Sequence, residues 1–496
     1  MRATATRFDR APEIDRLQDP RLFREFAFVD GRWCAAASGA VLDVENPANG
    51  SWLGTVPMLS GDESRAAVVA AHRTFPAWAA LLPQQRSRLL RRWFEAMVAN
   101  RDDLALIMTL EQGKPISEAR GEIDYAASFI EFYAEEARRA NIEGVTSHLP
   151  GARMEVRREP MGVAALVTPW NFPSAMITRK AAAALAAGCT VVVHPSSETP
   201  FSALALAELA ERAGMPKGVF NVVTGRAAEV VAPMTAAPEV RVLSFTGSTE
   251  IGRLLYAQSA DTIKTLVMEL GGHAPFIVFA DSDLDRAVDA AVAAKFATSG
   301  QDCLAANRMF VERPVYDEFC ARFAARVQAL TVGPGIDDSD IGPLMNDRAV
   351  AKQEAHVSDA VRRGARLLAG GGRHPAGPLF FQPTVLADVP ADAAIFREET
   401  FGPVAAVAPF DGEDEVLARA NATEYGLVAY VHSGNPARIA RMTAGLQFGM
   451  VAVNRTKITG APVPFGGVKQ SGLGREGSRL GMEAFMDVKY VCHDVA

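Results

Sequence analysis

The sequence predicts an α/β protein that contains two doubly wound α/β domains. At 496 residues the chain is too long for a single hydrophobic core. Short continuous apolar strands alternate with helical patterns between residues 160 and 272, and a second series of this kind runs from 274 to about 455. Such an alternation is typical of parallel sheets that helices cover on both faces.

Glycine and proline signals delimit the elements of the first series. Gly188 and Gly214 follow two helical patterns, and glycine readily adopts the left-handed conformation that ends a helix. Pro200 begins the second of these helices, because proline is tolerated in a first turn. The predicted strands are 162–169, 189–195, 218–225, 240–247 and 264–272, and the predicted helices are 175–188, 200–214, 227–236 and 248–258.

The second series begins with the strand 274–280 and places one cysteine in an unusual setting. Cys303 follows the first helix of this series and lies in a small polar loop, "GQDC", near the join between the two domains. Ligand sites favour such joins and the carboxyl ends of parallel strands. Cys303 is therefore a candidate nucleophile.

Composition excludes several classes of function. The formal net charge of −7 favours neither nucleic acid nor an anionic membrane, and the longest apolar stretches are too short to span a bilayer. The N-terminal stretch contains acidic residues as well as arginines and lacks the apolar segment of a secretory signal. Five scattered cysteines without a CxxC pair indicate neither a disulfide framework nor a metal site, so a reducing cytoplasm is expected. They are Cys34, Cys189, Cys303, Cys320 and Cys492.

Two further residues could support chemistry at Cys303. Glu269 ends the last strand of the first domain and could act as a base, or it could be a carboxylate that faces solvent. Asn171, in "TPWNFP", could donate a hydrogen bond to an oxyanion, or it could cap the following helix.

Two strand-to-helix turns are candidate phosphate loops. In "FTGSTEIG", Gly247 and Ser248 lie where free backbone amides could bind phosphate, although the pattern also fits an ordinary turn. In "HPSSETP", His194, Ser196 and Ser197 follow the second strand, and a capped turn is the alternative.

Taken together, six motifs resemble the NAD(P)-dependent aldehyde dehydrogenases. The resemblance runs in order from about residue 27 to the C-terminus, and the segments around "MITRKAAAALAAGCTVVV" and "SGLGREG" look most like the succinate-semialdehyde dehydrogenase branch. The motifs are "TPWNFP" (168–173), "FTGSTEIG" (245–252), "MELGG" (268–272), "GQDC" (300–303), "EETFGPV" (398–404) and "PFGGVKQSGLGREG" (464–477).

The resemblance implies a mechanism and a cofactor. Thiolate Cys303 would attack the aldehyde, Asn171 would hold the oxyanion of the thiohemiacetal, and Glu269 would activate the water that hydrolyses the thioester. NAD or NADP would accept the hydride. The residues expected around the cofactor are Trp170, His194, Ser197, Thr246, Gly247, Ser248, Gly252, Glu399 and Phe401.

The substrate expected from the resemblance is a semialdehyde such as succinate semialdehyde. Arg179 and Thr459 match an arginine and a hydroxyl position that bind the substrate carboxylate in that branch, and Phe465 would wall the channel. A second arginine of the branch is replaced by Ala297. Two alternatives stay open: Arg179 as a surface charge, and a broad-range enzyme for neutral aliphatic or aromatic aldehydes.

The family architecture also implies a domain arrangement. Residues 1–141 and 162–272 would form the cofactor-binding domain, and 273–483 the catalytic domain. Residues 142–161 and 484–496 would form a small β element that pairs subunits into a homodimer or a homotetramer.

The chain departs from the family pattern at several positions. His194 replaces a lysine and Ser197 a glutamate, so use of both NAD and NADP is expected, with relative NADP use rising as His194 gains a proton at low pH. His273 replaces an asparagine, and Ala305 replaces a second cysteine. Two rival functions remain, a CoA-acylating enzyme, which usually lacks the glutamate, and a non-enzymatic protein of the same fold.

Overall fold

The fold is taken from a computed structural model that describes residues 10–139 and 141–495. Residues 1–9, 140 and 496, which fall in the ranges predicted for the cofactor-binding domain and the oligomerisation element, lie outside the described residues. Within the described ranges, no helix is both long enough and apolar enough to cross a membrane.

The described part of the chain contains twenty strands, which are numbered here in chain order. They are β1 (Ala27–Val29), β2 (Arg32–Cys34), β3 (Val41–Glu45), β4 (Trp52–Pro57), β5 (Ile142–Val145), β6 (Ala152–Pro160), β7 (Val163–Val167), β8 (Thr190–His194), β9 (Phe220–Val222), β10 (Val240–Thr246), β11 (Thr265–Glu269), β12 (Ala274–Val278), β13 (Ala306–Glu312), β14 (Arg366–Ala369), β15 (Thr384–Ala387), β16 (Val404–Phe410), β17 (Val428–His432), β18 (Met450–Val453), β19 (Gly472–Leu473) and β20 (Met486–Asp494).

The same residues form fifteen α-helices and several short 3-10 turns. The helices are α1 (Gly61–Ala79), α2 (Pro83–Ala99), α3 (Arg101–Gln112), α4 (Ile116–Glu136), α5 (Ala175–Ala187), α6 (Pro200–Arg212), α7 (Ala227–Val230), α8 (Ala232–Ala236), α9 (Thr249–Ser259), α10 (Leu284–Phe296), α11 (Arg313–Gln328), α12 (Asp347–Arg362), α13 (Glu413–Asn421), α14 (Pro436–Gly445) and α15 (Ser478–Glu483). The 3-10 turns are Pro12–Arg16, Pro20–Leu22, Ala260–Thr262, Ala297–Gly300, Gly335–Asp337, Ala394–Phe396 and Lys469–Ser471.

Two large sheets organise the molecule. The first has the order β19-β11-β10-β7-β8-β9-β1-β2, and the second has the order β14-β15-β16-β13-β12-β17-β18. Neighbouring central strands of both sheets are parallel, as predicted. The edges differ from the prediction, because β19, β1 and β14 each pair antiparallel with their neighbours.

Each large sheet is covered on both faces, which explains the uninterrupted apolar strands. On β7, Val163, Ala165 and Val167 pack into one hydrophobic core. The alternate residues, Ala164 and Leu166, pack into another core on the opposite face. The second sheet divides in the same way between two cores of its own. Successive side chains of a strand point to opposite faces of the sheet. A sheet that is covered on both faces therefore buries every residue of its central strands.

The predicted helix ends agree with the structure, and one predicted helix does not. Gly188 and Gly214 have φ values of 107° and 88°, which suit a glycine after a helix end. The single helix predicted at 227–236 is two short helices, α7 and α8, that meet at Val231. Pro233 lies in the first turn of α8, where its missing N–H removes a hydrogen bond that a continuous helix would need.

Two smaller sheets complete the fold. Strands β3 and β4 form a hairpin, and β20, β6 and β5 form an antiparallel sheet. Strands β20 and β6 pair along nine residues, from Met486 opposite Pro160 to Asp494 opposite Ala152. Several apolar side chains of this sheet are exposed, among them Val488 and Tyr490.

Candidate active site

A cavity of about 510 Å³ lies beside Cys303. Its walls come from helix α4, the first half of α5, the end of α10, the loop that carries Cys303, and the segment 456–459. Five residues that the sequence singled out line it: Cys303, Arg179, Thr459, Phe465 and Ala297. The cavity is large enough for a small organic molecule.

The backbone before Cys303 is strained. Thr298, Ser299 and Gly300 have φ values of 50°, 55° and 71°, so three consecutive residues adopt the left-handed conformation. Residues with a β-carbon rarely adopt it, and such strain concentrates at functional sites. At Gly300 a Cβ would also lie 2.3 Å from the carbonyl oxygen of Gly402, so this position requires glycine.

Neighbouring side chains hold this strained segment in place. Glu118 accepts hydrogen bonds from the backbone amide of Thr298 at 2.9 Å and from its hydroxyl group at 3.1 Å. Ser299 donates to the carbonyl of Gly342, and the backbone of Met345 donates to the Gln301 side chain. These contacts determine where the chain leads into Cys303.

Gly272 lets the two sheets meet at Cys303. At Gly272 a Cβ would lie 2.3 Å from the carbonyl oxygen of Cys303, so only glycine allows the two backbones to approach this closely. In the first sheet, Glu269 and Thr246 are paired neighbours at the carboxyl ends of parallel strands. The "MELGG" motif thus carries Glu269 to the join and then passes directly against Cys303.

Glu269 is buried, with 2% of its surface exposed. The alternative that it is a solvent-facing carboxylate is therefore wrong. Burial and the negative charge of Glu476 raise the pKa of Glu269 well above its usual value. Neither carboxyl oxygen has a hydrogen-bond partner among the described residues. A buried carboxyl group with free oxygens and a raised pKa suits a general base or acid.

Arg179 belongs to a buried ionic cluster beside Glu269. Its side chain is 1% exposed, so the alternative that it is a surface charge is wrong. Arg179 Nε lies 2.5 Å from Glu476 Oε2, and Lys180 pairs with the other oxygen of the same carboxylate. Burial alone would raise the pKa of Glu476, but these two cations keep it below its usual value. The guanidinium of Arg179 also lies over the ring of Phe465, 4.0 Å from the centroid.

The surroundings of Cys303 disfavour its thiolate form. Burial and the nearby Asp302 raise its pKa well above its usual value, and Arg179 only partly opposes this effect. Glu399 and Glu269 raise it further. Because the thiolate is the nucleophile, the proton of Cys303 has to be removed before the sulfur can attack.

Asn171 lies next to the loop that carries Cys303. Its amide nitrogen donates to the carbonyl of Gln301 at 3.0 Å, and its second amide hydrogen remains for another acceptor. The alternative that Asn171 caps helix α5 is wrong, because Glu122 accepts hydrogen bonds from Ser174 N and Ala175 N at the start of that helix. Asn171 is buried, with 5% of its surface exposed.

The predicted phosphate turn after β10 has the expected strand–turn–helix form. Ser248 caps α9 by accepting a hydrogen bond from Ile251 N at 3.3 Å. At Gly247 a Cβ would lie 2.5 Å from the ring of Phe245, so this close packing requires glycine, and the Gly247 amide donates to the carbonyl of Glu269 at 3.0 Å. Thr246 accepts a hydrogen bond from Lys180. Gly252, which lies in α9, packs against Leu270, and this close contact requires glycine because a Cβ would lie 2.4 Å from a Leu270 methyl group.

Three further predicted cofactor residues lie near Cys303. Glu399 Oε1 accepts a hydrogen bond from Gly272 N at 2.8 Å, and burial raises the pKa of Glu399 to about 7. The rings of Trp170 and Phe401 meet edge to face, with centroids 5.6 Å apart. Glu399 thus contacts the glycine that packs against Cys303, and Trp170 and Phe401 form an aromatic pair.

His194 does not behave as the sequence predicted. It is 3% exposed, and its Nδ1 lies 3.1 Å from the carbonyl oxygen of Val223. Burial lowers its pKa to about 4, so the ring stays neutral at pH 6. The prediction that relative NADP use rises at low pH relied on the protonation of His194, and this physical basis is wrong. Ser197 is half-buried, and its hydroxyl lies 3.4 Å from Gly225 O.

Two of the other departures from the family pattern, His273 and Ala297, differ in their placement. His273 is fully buried, and burial, reinforced by Arg308, lowers its pKa well below its usual value, so its ring is neutral. Ala297 lines the cavity, where its small side chain leaves space.

Several residues of this site were missed by the sequence reasoning. Glu118, Glu122 and Tyr125 lie along one face of α4 and line the cavity, and Lys114 pairs with Glu122 inside the protein at 2.5 Å. The i, i+4, i+7 spacing of polar groups on a mostly buried helix was the available signal. Lys180 and Glu476 carried no local signal, because their ion pair joins residues that are 296 positions apart.

Comparisons with known proteins agree with this geometry. Residues 33–491 match the aldehyde dehydrogenase family. The chain is 53% identical to the NADP(+)-dependent succinate-semialdehyde dehydrogenase of Escherichia coli, over 96% of this chain and 99% of that protein. It is 52% identical to a glutarate-semialdehyde dehydrogenase of Pseudomonas aeruginosa, again over 96% and 99% of the two chains.

Solved structures give the same result. The crystal structure of betaine aldehyde dehydrogenase from Staphylococcus aureus in complex with NAD+ matches with a TM-score of 0.94 and 32% identity, over 97% of each chain. The fold predicted from the alternating strands and helices is thus confirmed. This chain belongs to the aldehyde dehydrogenase family and is an NAD(P)-dependent oxidoreductase that acts on aldehydes.

Proposed function

We propose that the protein oxidises an aldehyde that carries a distal carboxylate, with succinate semialdehyde as the leading candidate, to the corresponding dicarboxylic acid. The observation that carries this proposal is that Cys303 and the buried Arg179 line the same cavity. Arg179 Nη1 has no hydrogen-bond partner among the described residues, so it offers a donor to a substrate carboxylate. Relatives with 53% and 52% identity are named for succinate semialdehyde and glutarate semialdehyde.

In the first step, Cys303 adds to the aldehyde carbon. A carbon–sulfur bond forms, the carbonyl π electrons move to oxygen, and the thiol proton passes to Glu269. Asn171 and the backbone amide of Cys303 hold the resulting oxyanion. The raised pKa of Glu269 makes this carboxyl group a better proton acceptor than an ordinary glutamate.

The residues on the other side of the join fit NAD or NADP. The exposed Ser248 and the amino-terminal end of α9 suit a diphosphate. Glu399 has a second oxygen for a ribose hydroxyl, and Trp170 and Phe401 border the place where a nicotinamide would approach Cys303. When bound, the cofactor supplies the hydride acceptor that turns the thiohemiacetal into a thioester.

Hydrolysis completes the reaction. After Glu269 has released the first proton to solvent, it takes a proton from water, the water oxygen adds to the thioester carbon, and the carbon–sulfur bond breaks to release the acid and the Cys303 thiolate. The presence of a buried acid–base group beside the thioester favours water over CoA as the acyl acceptor. The broad-range oxidation of neutral aldehydes is the second candidate, favoured by the small side chain of Ala297 in the cavity wall.

We further infer that the domains have the boundaries predicted from the sequence. We also infer that the protein forms a homodimer or a homotetramer. The antiparallel sheet of β20, β6 and β5, formed within 142–161 and 484–496 and bearing exposed apolar side chains, supports a subunit contact. One strand of the range 273–483, β19, instead joins the first sheet. A cytoplasmic location fits the unpaired state of all five cysteines.

A single assay tests the proposed function. Reduction of NAD and of NADP is followed with succinate semialdehyde and with butanal, each with and without CoA. Because the two aldehydes differ mainly in the carboxylate, the proposal expects a higher kcat/KM for succinate semialdehyde and no requirement for CoA. A preference for butanal would refute the carboxylate site, and a strict dependence on CoA would refute hydrolysis.

A further inference from the structure

The three carboxyl groups that line the cavity beside Cys303 are already engaged by other groups of the protein. Glu118 and Asp302 each accept a hydrogen bond from a backbone amide at 2.9 Å. Glu122 is paired with a buried lysine. Burial raises the pKa of both Glu118 and Asp302. An anionic substrate therefore meets acidic groups on entry, and it needs a positive charge that is not already neutralised.

The two cations that line the cavity differ in this respect. Arg179 is buried and pairs with Glu476 at 2.5 Å, a carboxylate that Lys180 also contacts. Lys457, which lies in the segment 456–459, is exposed. It makes no ion pair or hydrogen bond with any residue within 10–139 and 141–495. Arg179 can thus offer one directed donor, whereas Lys457 offers a net positive charge.

The cavity around Lys457 has room for a charged chain. Thr459, on the same segment, also lines the cavity and adds a hydroxyl group. The side chains that α10 and the following turn contribute are small, namely Ala293, Ala294 and Ala297. The flexible stem of a lysine lets its ammonium group follow substrates of different length.

We propose that Lys457 is a specificity-determining residue whose ammonium group binds the distal carboxylate of the substrate. This inference rests on the proposed function, because it names the partner of the carboxylate which that function requires. Lys457 supplies the uncompensated charge, and Arg179 supplies a hydrogen bond from within the cavity wall. The same charge attracts anionic aldehydes towards the cavity, so their binding weakens as salt concentration rises.

The test compares Lys457→Met with Arg455→Met. Arg455 is an exposed cation two positions away that does not line the cavity, so both variants lose one charge from the same loop. For Lys457→Met, we expect kcat/KM for succinate semialdehyde to fall about 10-fold, with butanal unchanged within about twofold. Arg455→Met should leave both substrates within about twofold, and Lys457→Arg should restore most of the lost kcat/KM.

The outcomes separate this inference from the function on which it rests. An equal effect of Lys457→Met on both aldehydes, or the same loss in Arg455→Met, would overturn the role of Lys457 alone. A wild-type enzyme without any preference for succinate semialdehyde over butanal would overturn the proposed function and this inference together. Because Lys457 is exposed and makes no hydrogen bond or ion pair with the residues that the structure describes, circular dichroism of Lys457→Met should match the wild type.

Discussion

The carboxylate of Glu118 is bonded twice to Thr298, to its backbone amide at 2.9 Å and to its hydroxyl group at 3.1 Å. Thr298 begins the left-handed run that leads into Cys303. Glu118 therefore acts on the nucleophile through the backbone, as a positioning residue, although it also lines the cavity.

Glu118→Ala should lower kcat by roughly 10- to 100-fold, because hydrogen bonds to a charged group contribute about 1.5–3 kcal/mol. Glu118→Gln keeps an acceptor for Thr298 and should lose less. Steady-state kinetics with the preferred aldehyde measures both variants. Glu131→Ala is the matched control, since Glu131 lies on the same helix but is exposed and pairs with Arg91. Wild-type kcat in Glu118→Ala would exclude the positioning role.

Cys303→Ala should abolish aldehyde oxidation while cofactor binding persists, because the sulfur that forms the thioester is gone. Glu269→Gln should form the thioester but hydrolyse it slowly, which gives a burst of about one reduced cofactor per site. Rapid-mixing absorbance measures the burst, and Cys492→Ala, at an exposed position, serves as the control. Steady wild-type turnover in either variant would contradict the assigned roles.

The reactivity of Cys303 should increase with pH up to the alkaline range. Burial and Asp302 raise the pKa of its thiol, so below that pKa the thiolate fraction increases about tenfold per pH unit. Alkylation by iodoacetamide in the absence of cofactor, followed by mass spectrometry of the peptide that contains Cys303, should therefore accelerate without a plateau between about pH 7 and about pH 9. A plateau near neutral pH would show that the thiol is already ionised.

The local parts of this fold could be predicted from sequence, because their causes are local. Apolar runs define the central strands, and Gly188, Gly214 and Pro200 mark helix ends that the structure retains. Edge strands were not predictable in this way. Gly472–Leu473 is too short to show a pattern, and it pairs with β11 only because the chain returns there.

The residues of the candidate site also divide into those that the sequence could predict and those that it could not. Motif residues such as Cys303 and Glu269 stand at strand or loop ends, where spacing alone points to the join. Glu476 and Lys180 depend on a partner that only the folded chain supplies, and the neutral state of His194 follows from its burial. Burial and long-range pairing are properties of the tertiary structure, so the charge state of a histidine could not be inferred from its neighbours in sequence.

Relative use of NADP should not rise as pH falls from about 8 to about 6, because His194, with a pKa lowered to about 4, gains no proton in that range. The ratio of kcat/KM values for NADP and NAD measures this. Ser197→Glu provides a positive control, since a carboxylate at that position would repel the 2′-phosphate and reduce NADP use. An increase in the wild-type ratio towards pH 6 would mean that His194 is protonated.

Arg179→Lys should weaken binding of the substrate carboxylate without disrupting the buried cluster. Lysine keeps a positive charge next to Glu476, but it lacks the free Nη1 donor of Arg179. We expect KM for succinate semialdehyde to rise about 10-fold, as for the loss of one hydrogen bond between charged groups, and KM for butanal to stay nearly constant.

Arg179→Ala provides the contrast, because it leaves Glu476 buried with Lys180 as its remaining cation. Breaking a buried ion pair costs about 3–5 kcal/mol, so the free energy of unfolding should decrease by that amount, measured by urea denaturation. Arg179→Lys should preserve most of this stability. If the two variants were equally unstable, or if Arg179→Lys changed both substrates alike, Arg179 would be a residue that maintains the fold and not one that selects the substrate.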